Sequence, residues 1–322
     1  MKVFKKICKK TQEQLIPYLV CKLKENGYTN IIQNDGYIYA KGIEPVLLVA
    51  HMDTVHKNKC QFINETWIKG STRLYSQQGI GGDDRCGIYM ILEIIKTHKC
   101  SVLFCEDEEI GCVGSKKFVK SEFINDLSDL KYLIELDRAN SNDAVFYDCN
   151  NPEFTEFIIS NTGYKEAYGT YTDISYLAPA CKVAAVNFSC GYYNAHTLTE
   201  YVVWEEMLNT IEVVKKLLEV ECDQFEYIES KYYGYGGYGI YGGYNELDEY
   251  YGYGAYRNYN NYYSNSFSNE MLLEVEFMDN KTNKIRNVCL TAKNKEEAWY
   301  KFFIQNGSVC YDDVIDFNCY KY

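Results

Sequence analysis

Two of the chain's 4 histidines, His51 and His196, stand among short acidic stretches: HMD (51–53), GGDD (81–84), EDEE (106–109) and ELD (135–137). Carboxylates gathered on one rim repel one another, and a divalent cation is the usual remedy because it keeps each ligand ionised. Imidazole together with carboxylate suits zinc, with cobalt and manganese as rivals. One shared carboxylate, plus one imidazole and one further carboxylate per ion, makes a five-residue site for two ions with open positions for water and substrate. Two such ions, roughly 3.5 to 4 Å apart, would bind a shared hydroxide as nucleophile. Each residue also has a plainer reading. Asp83 or Asp84 suits the N-cap of a following helix, EDEE could be a solvated patch, and His51 could be a core histidine at a strand end.

The elements that must position these residues are legible as hydrophobic patterns. Four short apolar runs, VLLVA (46–50), SVLFC (101–105), KYLIEL (131–136) and VAAVNF (183–188), have the length of buried strands. YIYA (37–40) follows an Asn-Asp-Gly turn signal. TQEQLIPYLVCKL (11–23), RCGIYMILEIIKTH (85–98) and EEMLNTIEVVKKLLEV (205–220) carry the spacing of amphipathic helices. Strand and helix in alternation predict an α/β domain with a central, largely parallel sheet covered by helices. In such sheets ligands sit beyond the carboxyl ends of the strands. Here His51, Asp53, Glu106–Glu109, Asp137 and, after a short polar stretch, His196 follow the four runs.

HMDTV (51–55), GGDDRCG (81–87), EDEEIG (106–111), ELD (135–137) and NAHTLTEYV (194–202) resemble, in order and spacing, the motifs of the co-catalytic di-zinc exopeptidases. That clan includes tripeptidase T, the carboxypeptidase G type and the bacterial zinc aminopeptidases, and the resemblance spans about residues 46–220. It implies a three-layer αβα catalytic domain. It also implies roles: His51 and Asp137 as terminal ligands of the first zinc, Glu109 and His196 of the second, and Asp83 bridging both. Asp53 then orients His51, Glu108 is the general base, and Asp84 follows Asp83 across a peptide bond that is commonly cis in the clan. Lidded clan members carry a further domain between the counterparts of Asp137 and His196. About sixty residues separate them here, too few for a lid, so a lidless domain is expected. Tyr171, Tyr192 and Tyr193 are then candidate donors to the oxyanion. Asp173 is either a helix N-cap or a contact for a substrate's free amine. His56 and His98 read as surface histidines, and Arg85 anchors its loop or a carboxylate.

Composition narrows the class. The 322 residues are 47% hydrophobic with a net charge of -12, which disfavours a nucleic-acid partner. The basic opening MKVFKKICKK leads into no signal-peptide core and no apolar span long enough for a membrane, so a cytoplasmic protein with reduced cysteines is expected. Residues 1–225 read as the catalytic domain. Residues 226–268, where much of the Tyr and Gly is concentrated, read as a low-complexity linker. Residues 269–322 read as a small ββαβ (α+β) module, with its helix in NKEEAWYKFFIQ (294–305). The function expected is a di-zinc aminopeptidase or di/tripeptidase acting on short peptides. One alternative is an N-acyl amino-acid amidohydrolase or deacetylase with the same site. Another is a scaffold acting through the Tyr/Gly tract and the terminal module, by partner contact or self-association.

Overall fold

The computed structural model describes residues 1–56 and 58–229, and three strands within 271–321. The chain divides into two units, Met1–Tyr235 and Gly236–Tyr322. The first unit opens with α1 (Lys2–Cys8), α2 (Gln12–Glu25) and a hairpin of β1 (Ile31–Asn34) and β2 (Tyr37–Ala40). Then come β3 (Glu44–His51), a hairpin of β4 (Asn64–Ile68) and β5 (Ser71–Tyr75), α3 (Gly82–Ile94), β6 (Cys100–Cys105), α4 (Val113–Val119) and a 3-10 turn at Glu122–Leu127. It continues through β7 (Tyr132–Arg138), β8 (Asp143–Val145), α5 (Pro152–Thr162), β9 (Lys165–Ala167), α6 (Ile174–Cys181) and β10 (Ala185–Ser189). β11 (Tyr192–Tyr193), β12 (Tyr201–Val203) and α7 (Trp204–Leu218) complete it.

Local chemistry sets several boundaries. Thr11 and Gln14 form a reciprocal capping box at the start of α2. Asn151 accepts the Phe154 N–H before α5, Pro152 opens that helix, and Gly163 closes it in the left-handed conformation.

The main sheet has eight strands in the order β1-β2-β6-β3-β7-β10-β8-β9. Its centre, β6-β3-β7-β10, is parallel, and these four strands are the four apolar runs of the sequence. Alternation along each strand splits the core. Leu48, Ala50, Ile134 and Leu136 face the layer of α1, α3, α5 and α7, whereas Leu47, Val49, Leu133 and Leu103 face α4 and α6. A sheet buried on both faces explains why its strands read as continuous apolar runs. The elements between Asp137 and His196 are strands of the sheets and helices that cover the main one, so no separate lid domain stands there.

A second, antiparallel sheet, β11-β12-β5-β4, was not expected from the sequence. Its strands are short and partly exposed, so they carry little hydrophobic pattern. After α7 the chain returns to the domain: Phe225 N–H donates to Lys131 O (2.9 Å), Ala184 N–H to Phe225 O (2.9 Å) and Asn150 N–H to Ile228 O (2.7 Å). The first unit therefore keeps the chain through Glu229, which bridges to Cys149.

The second unit shows an antiparallel sheet of β13 (Met271–Asp279), β14 (Lys284–Ala292) and β15 (Val314–Lys321), with β13 in the middle. The helix expected at 294–305 and nearly all of the Tyr/Gly stretch lie outside the described residues.

Candidate active site

Each candidate ligand is delivered by the end of an element. β3 ends at His51, which is fully buried, and Asp53 follows two residues later. The His51 ring spans two carboxylates: Nδ1 lies 3.0 Å from Asp53 Oδ1 and Nε2 lies 3.0 Å from Asp83 Oδ1. Asp53 also accepts the backbone N–H groups of Glu108 and Glu109, each at 3.0 Å, and so ties the loop after β6 to the loop after β3.

The Asp83–Asp84 peptide bond is cis, and neither residue has helical backbone angles, so the regular part of α3 begins after them. Asp84 accepts the Gly87 N–H (2.8 Å) as an N-cap and the His51 N–H (3.2 Å) with its other oxygen. Asp83 is left to face outward between two groups. His51, Asp83 and Asp137 bring one ligand atom each within 4.8 Å of one another, and so do Asp83, Glu109 and His196. Asp83 Oδ2 lies 3.1 Å from His196 Nε2, which in turn lies 3.2 Å from Glu109 Oε2. Asp137 Oδ1 lies 3.6 Å from His51 Nε2. It is steadied by Tyr192 Oη on Oδ1 and by Thr172 Oγ1 on Oδ2, each donating at 3.2 Å.

The electrostatics are those of carboxylates outnumbering cations. Burial pushes Glu108 up to about 9 and, with Asp83 adding to it, Asp137 up to about 7. Burial also raises Glu109, and raises Asp84 and Glu135 well above the usual carboxylate range. Burial acts the same way on Asp83, but hydrogen bonds from His196 and His51 outweigh it and hold that carboxyl far below its ordinary value. Hydrogen bonds to Asp83 and Glu109 raise His196 to about 11. Two imidazoles are thus set against a larger number of buried carboxyls, and Glu109 Oε1 is buried with no hydrogen-bond partner. A divalent cation in each triad fits this donor set: it would give Glu109 a partner and favour the charged form of every carboxylate now pushed toward neutrality.

Other sequence candidates fall elsewhere. Tyr193 Oη donates to Glu206 Oε2 (2.6 Å) and its ring stacks on Tyr201, away from the triads. Asp173 is fully buried and its side chain makes no capping hydrogen bond to α6. Tyr171 is half exposed. Burial and, after it, the charges of Cys112 and Glu108 push its hydroxyl up to about 12. Arg85 anchors loops, donating to Met52 O and Lys10 O. His56 and His98 are partly buried and paired rather than free on the surface. His56 Nε2 pairs with Glu200 Oε2 at 2.8 Å and His98 Nδ1 with Glu44 Oε2 at 3.2 Å, through partners remote in sequence. Sequence reasoning gave no role to Glu200, a fully buried carboxylate four residues after His196, nor to Thr172; neither carries a motif of its own.

Residues 38–176, which hold His51, Asp53, Asp83, Glu108, Glu109 and Asp137 but not His196, match peptidase family M28. The chain carries a peptidase family M28 domain. By that domain it is a zinc metallopeptidase. Solved structures similar to this chain include the aminopeptidase PepT from Bacillus cereus, with a TM-score of 0.54 and 14% identity over 68% of this chain and 96% of that one. A tripeptidase from Staphylococcus aureus gives 0.52 and 12% over 67% and 96%. An aminopeptidase from the archaeon Desulfurococcus kamchatkensis gives 0.52 and 14% over 68% and 94%. At such identities the likeness is one of fold. No curated protein matches the chain. Among the described residues no helix is long and apolar enough to cross a membrane.

Proposed function

We propose that the chain is an exopeptidase of the aminopeptidase or di/tripeptidase kind that holds two zinc ions, one at His51, Asp83 and Asp137 and one at Asp83, Glu109 and His196. The observation that carries this reading is Asp83, whose two oxygens face two different imidazoles at 3.0 and 3.1 Å, the position of a carboxylate shared by two ions. When bound, zinc supplies Lewis acidity, polarising a peptide carbonyl and lowering the pKa of water.

The chain's own residues supply the rest. Glu108 takes a proton from the attacking water onto its carboxylate as the new C–O bond forms, and returns it to the leaving nitrogen as the C–N bond breaks. Its Oε1 is held by the Cys112 thiol (3.4 Å), and Asp53 fixes its backbone, so the carboxyl has a set position for both transfers. Asp53 holds His51 through Nδ1, which leaves Nε2 as the atom that would serve as a ligand. Of the three tyrosines we take Tyr171 as the candidate donor to the oxyanion, since the Tyr192 and Tyr193 hydroxyls are engaged by Asp137 and Glu206. An acidic mouth favours the free amino end of a peptide over its carboxylate. Ile110 and Leu198, exposed on the loops that carry Glu109 and His196, offer apolar surface to a side chain. The cysteines of the described residues are free thiols and mostly buried, in keeping with a reducing, cytoplasmic setting.

The test is metal analysis of the purified chain, with hydrolysis of aminoacyl chromogenic substrates and of N-acyl amino acids before and after chelation. Metal-dependent release from the aminoacyl substrates is the expected result. Turnover of the N-acyl compounds alone would move the chain to the amidohydrolases, and absence of metal and of activity in added zinc or cobalt would sink the enzyme reading.

A further inference from the structure

One side chain joins three of the segments that carry candidate ligands: the loop after His51, the turn that bears Asp83 and the loop that bears His196. Glu200 stands at the end of the loop that bears His196 and is fully buried. Its Oε2 accepts the Gly81 N–H (2.8 Å) and lies 2.8 Å from His56 Nε2. Its Oε1 accepts the N–H of Asp83 itself (3.0 Å). The backbone groups can only donate, and a carboxylate can accept from all three, so His56 presents Nε2–H to it. A buried carboxylate without such donors would be costly. With three it is satisfied and has a set position.

The packing is fitted to this contact. A Cβ on Gly82 would lie 2.8 Å from Tyr192 Cβ, 2.9 Å from Val202 Cγ2 and 3.2 Å from Glu200 Oε1, and a Cβ on Gly79 would lie 2.2 Å from the His56 ring. Glycine at both places lets the loop lie against Glu200 and His56.

We propose that Glu200 is a positioning residue of the hydrolytic site: by holding the backbone on either side of the Gly82 peptide, with His56 as its side-chain donor, it sets the carboxylate of Asp83 between the two triads. Asp53 braces the other side of the site in the same manner, through His51 and the N–H groups of Glu108 and Glu109. The two braces differ in reach. Asp53 touches one terminal imidazole, whereas Glu200 acts on the residue common to both triads, so its loss is felt at both ions. The inference rests on the two-zinc reading of the site.

The test uses the full chain with Glu200→Gln, His56→Leu and His56→Gln. Zinc affinity and stoichiometry are read by competition with a chromophoric chelator, kcat and KM on an aminoacyl chromogenic substrate, and melting temperature with and without zinc. Glu200→Gln keeps the volume but turns an NH2 toward groups that themselves donate. Both zinc affinities are expected to fall about 10- to 100-fold, the range for loss of an outer-shell partner, with kcat lowered in excess zinc and KM little changed. His56→Leu should move the same readouts in the same direction by less, and His56→Gln, which keeps an N–H donor at the Nε2 position, should recover most of that loss. If Glu200→Gln lowers only the melting temperature, equally with and without zinc, while affinities and kcat stay at wild type, Glu200 is a loop staple and the proposal is overturned. Should Glu200→Gln not fold, the His56 pair decides in the same way: wild-type affinities and kcat in His56→Leu overturn it. A wild-type chain that binds no zinc removes the metal reading and this inference with it, whereas zinc bound equally by wild type and variants removes this inference alone.

Discussion

Asp83 and Glu108 belong to the same candidate site and are expected to fail in different ways. Asp83→Asn keeps a side chain of the same size but removes the charge that both triads share, so zinc binding should weaken at both positions by more than the about 10- to 100-fold that loss of an outer-shell partner costs. In the proposed mechanism Glu108→Gln removes a proton carrier and no ligand. It should retain zinc at wild-type stoichiometry and lose about 10²- to 10⁴-fold in kcat, equivalent to about 3–5 kcal/mol of barrier. Metal analysis beside steady-state kinetics checks both, and a Glu108→Gln enzyme that turns over normally would take the residue out of that role. The sequence made the positions of both residues legible because each lies in a loop next to an element with a clear pattern. It did not make side-chain direction legible. Tyr192 and Tyr193 are neighbours in a strand and must point to opposite faces, so only one of them could face the triads; Tyr192 reaches Asp137 and Tyr193 reaches Glu206. Glu200 and His56 could not be paired from sequence because nothing near either one encodes the other.

The central strands and α3 were readable from their apolar residues: the strands are apolar on both faces, and the helix is buried from Cys86 to Leu92. The second sheet was not, because NETWI and STRLY are polar and half-covered, and their partner β12 lies far along the chain. The most exacting contact between elements is that of α3 with β7. A Cβ on Gly87 would lie 2.0 Å from the carbonyl oxygen of Leu136 and 2.6 Å from both carboxylate oxygens of Asp84. The nearest atom is strand backbone, which cannot rotate away, so Gly87→Ala must shift the helix or tilt Asp84. Overpacking of this kind costs about 1–3 kcal/mol, and at roughly 2–4 °C per kcal/mol for a domain of this size the melting temperature should fall several degrees. Because Asp84 also receives the His51 N–H, kcat/KM should fall with it. A Gly87→Ala chain that melts and turns over like wild type would show that α3 has more freedom against β7 than this contact allows.

At the scale of the molecule, zinc should act as a stabilising ligand of the first unit, since the buried carboxyls it would neutralise exist as a group only in the folded chain. Ligand at about 100 times its Kd stabilises by about 2.7 kcal/mol, so chelation should lower the melting temperature by roughly 5–10 °C and added zinc should restore it. Where the catalytic unit ends is a separate question with a sharper answer. The segment after α7 closes the edge of the domain: Phe225 packs its ring 5.2 Å from Phe154 and 5.0 Å from Phe157 and takes the N–H of Ala184, a fully buried residue. Tyr227 N–H donates to Lys182 O, and Asn151 Nδ2 to Glu226 O (2.9 Å). A chain stopped after Val220 leaves the Ala184 N–H unpaired, which costs about 1–3 kcal/mol by itself, and uncovers two phenylalanine rings. A chain stopped after Glu229 keeps every one of these contacts. Residues 1–229 should therefore melt close to the full-length protein and match its kcat/KM, while residues 1–220 should melt roughly 5–10 °C lower or fail to stay in solution. If the 1–229 chain instead loses activity with its melting temperature intact, the residues beyond 229 contribute to the reaction and the catalytic unit cannot be assigned to the first part of the chain alone.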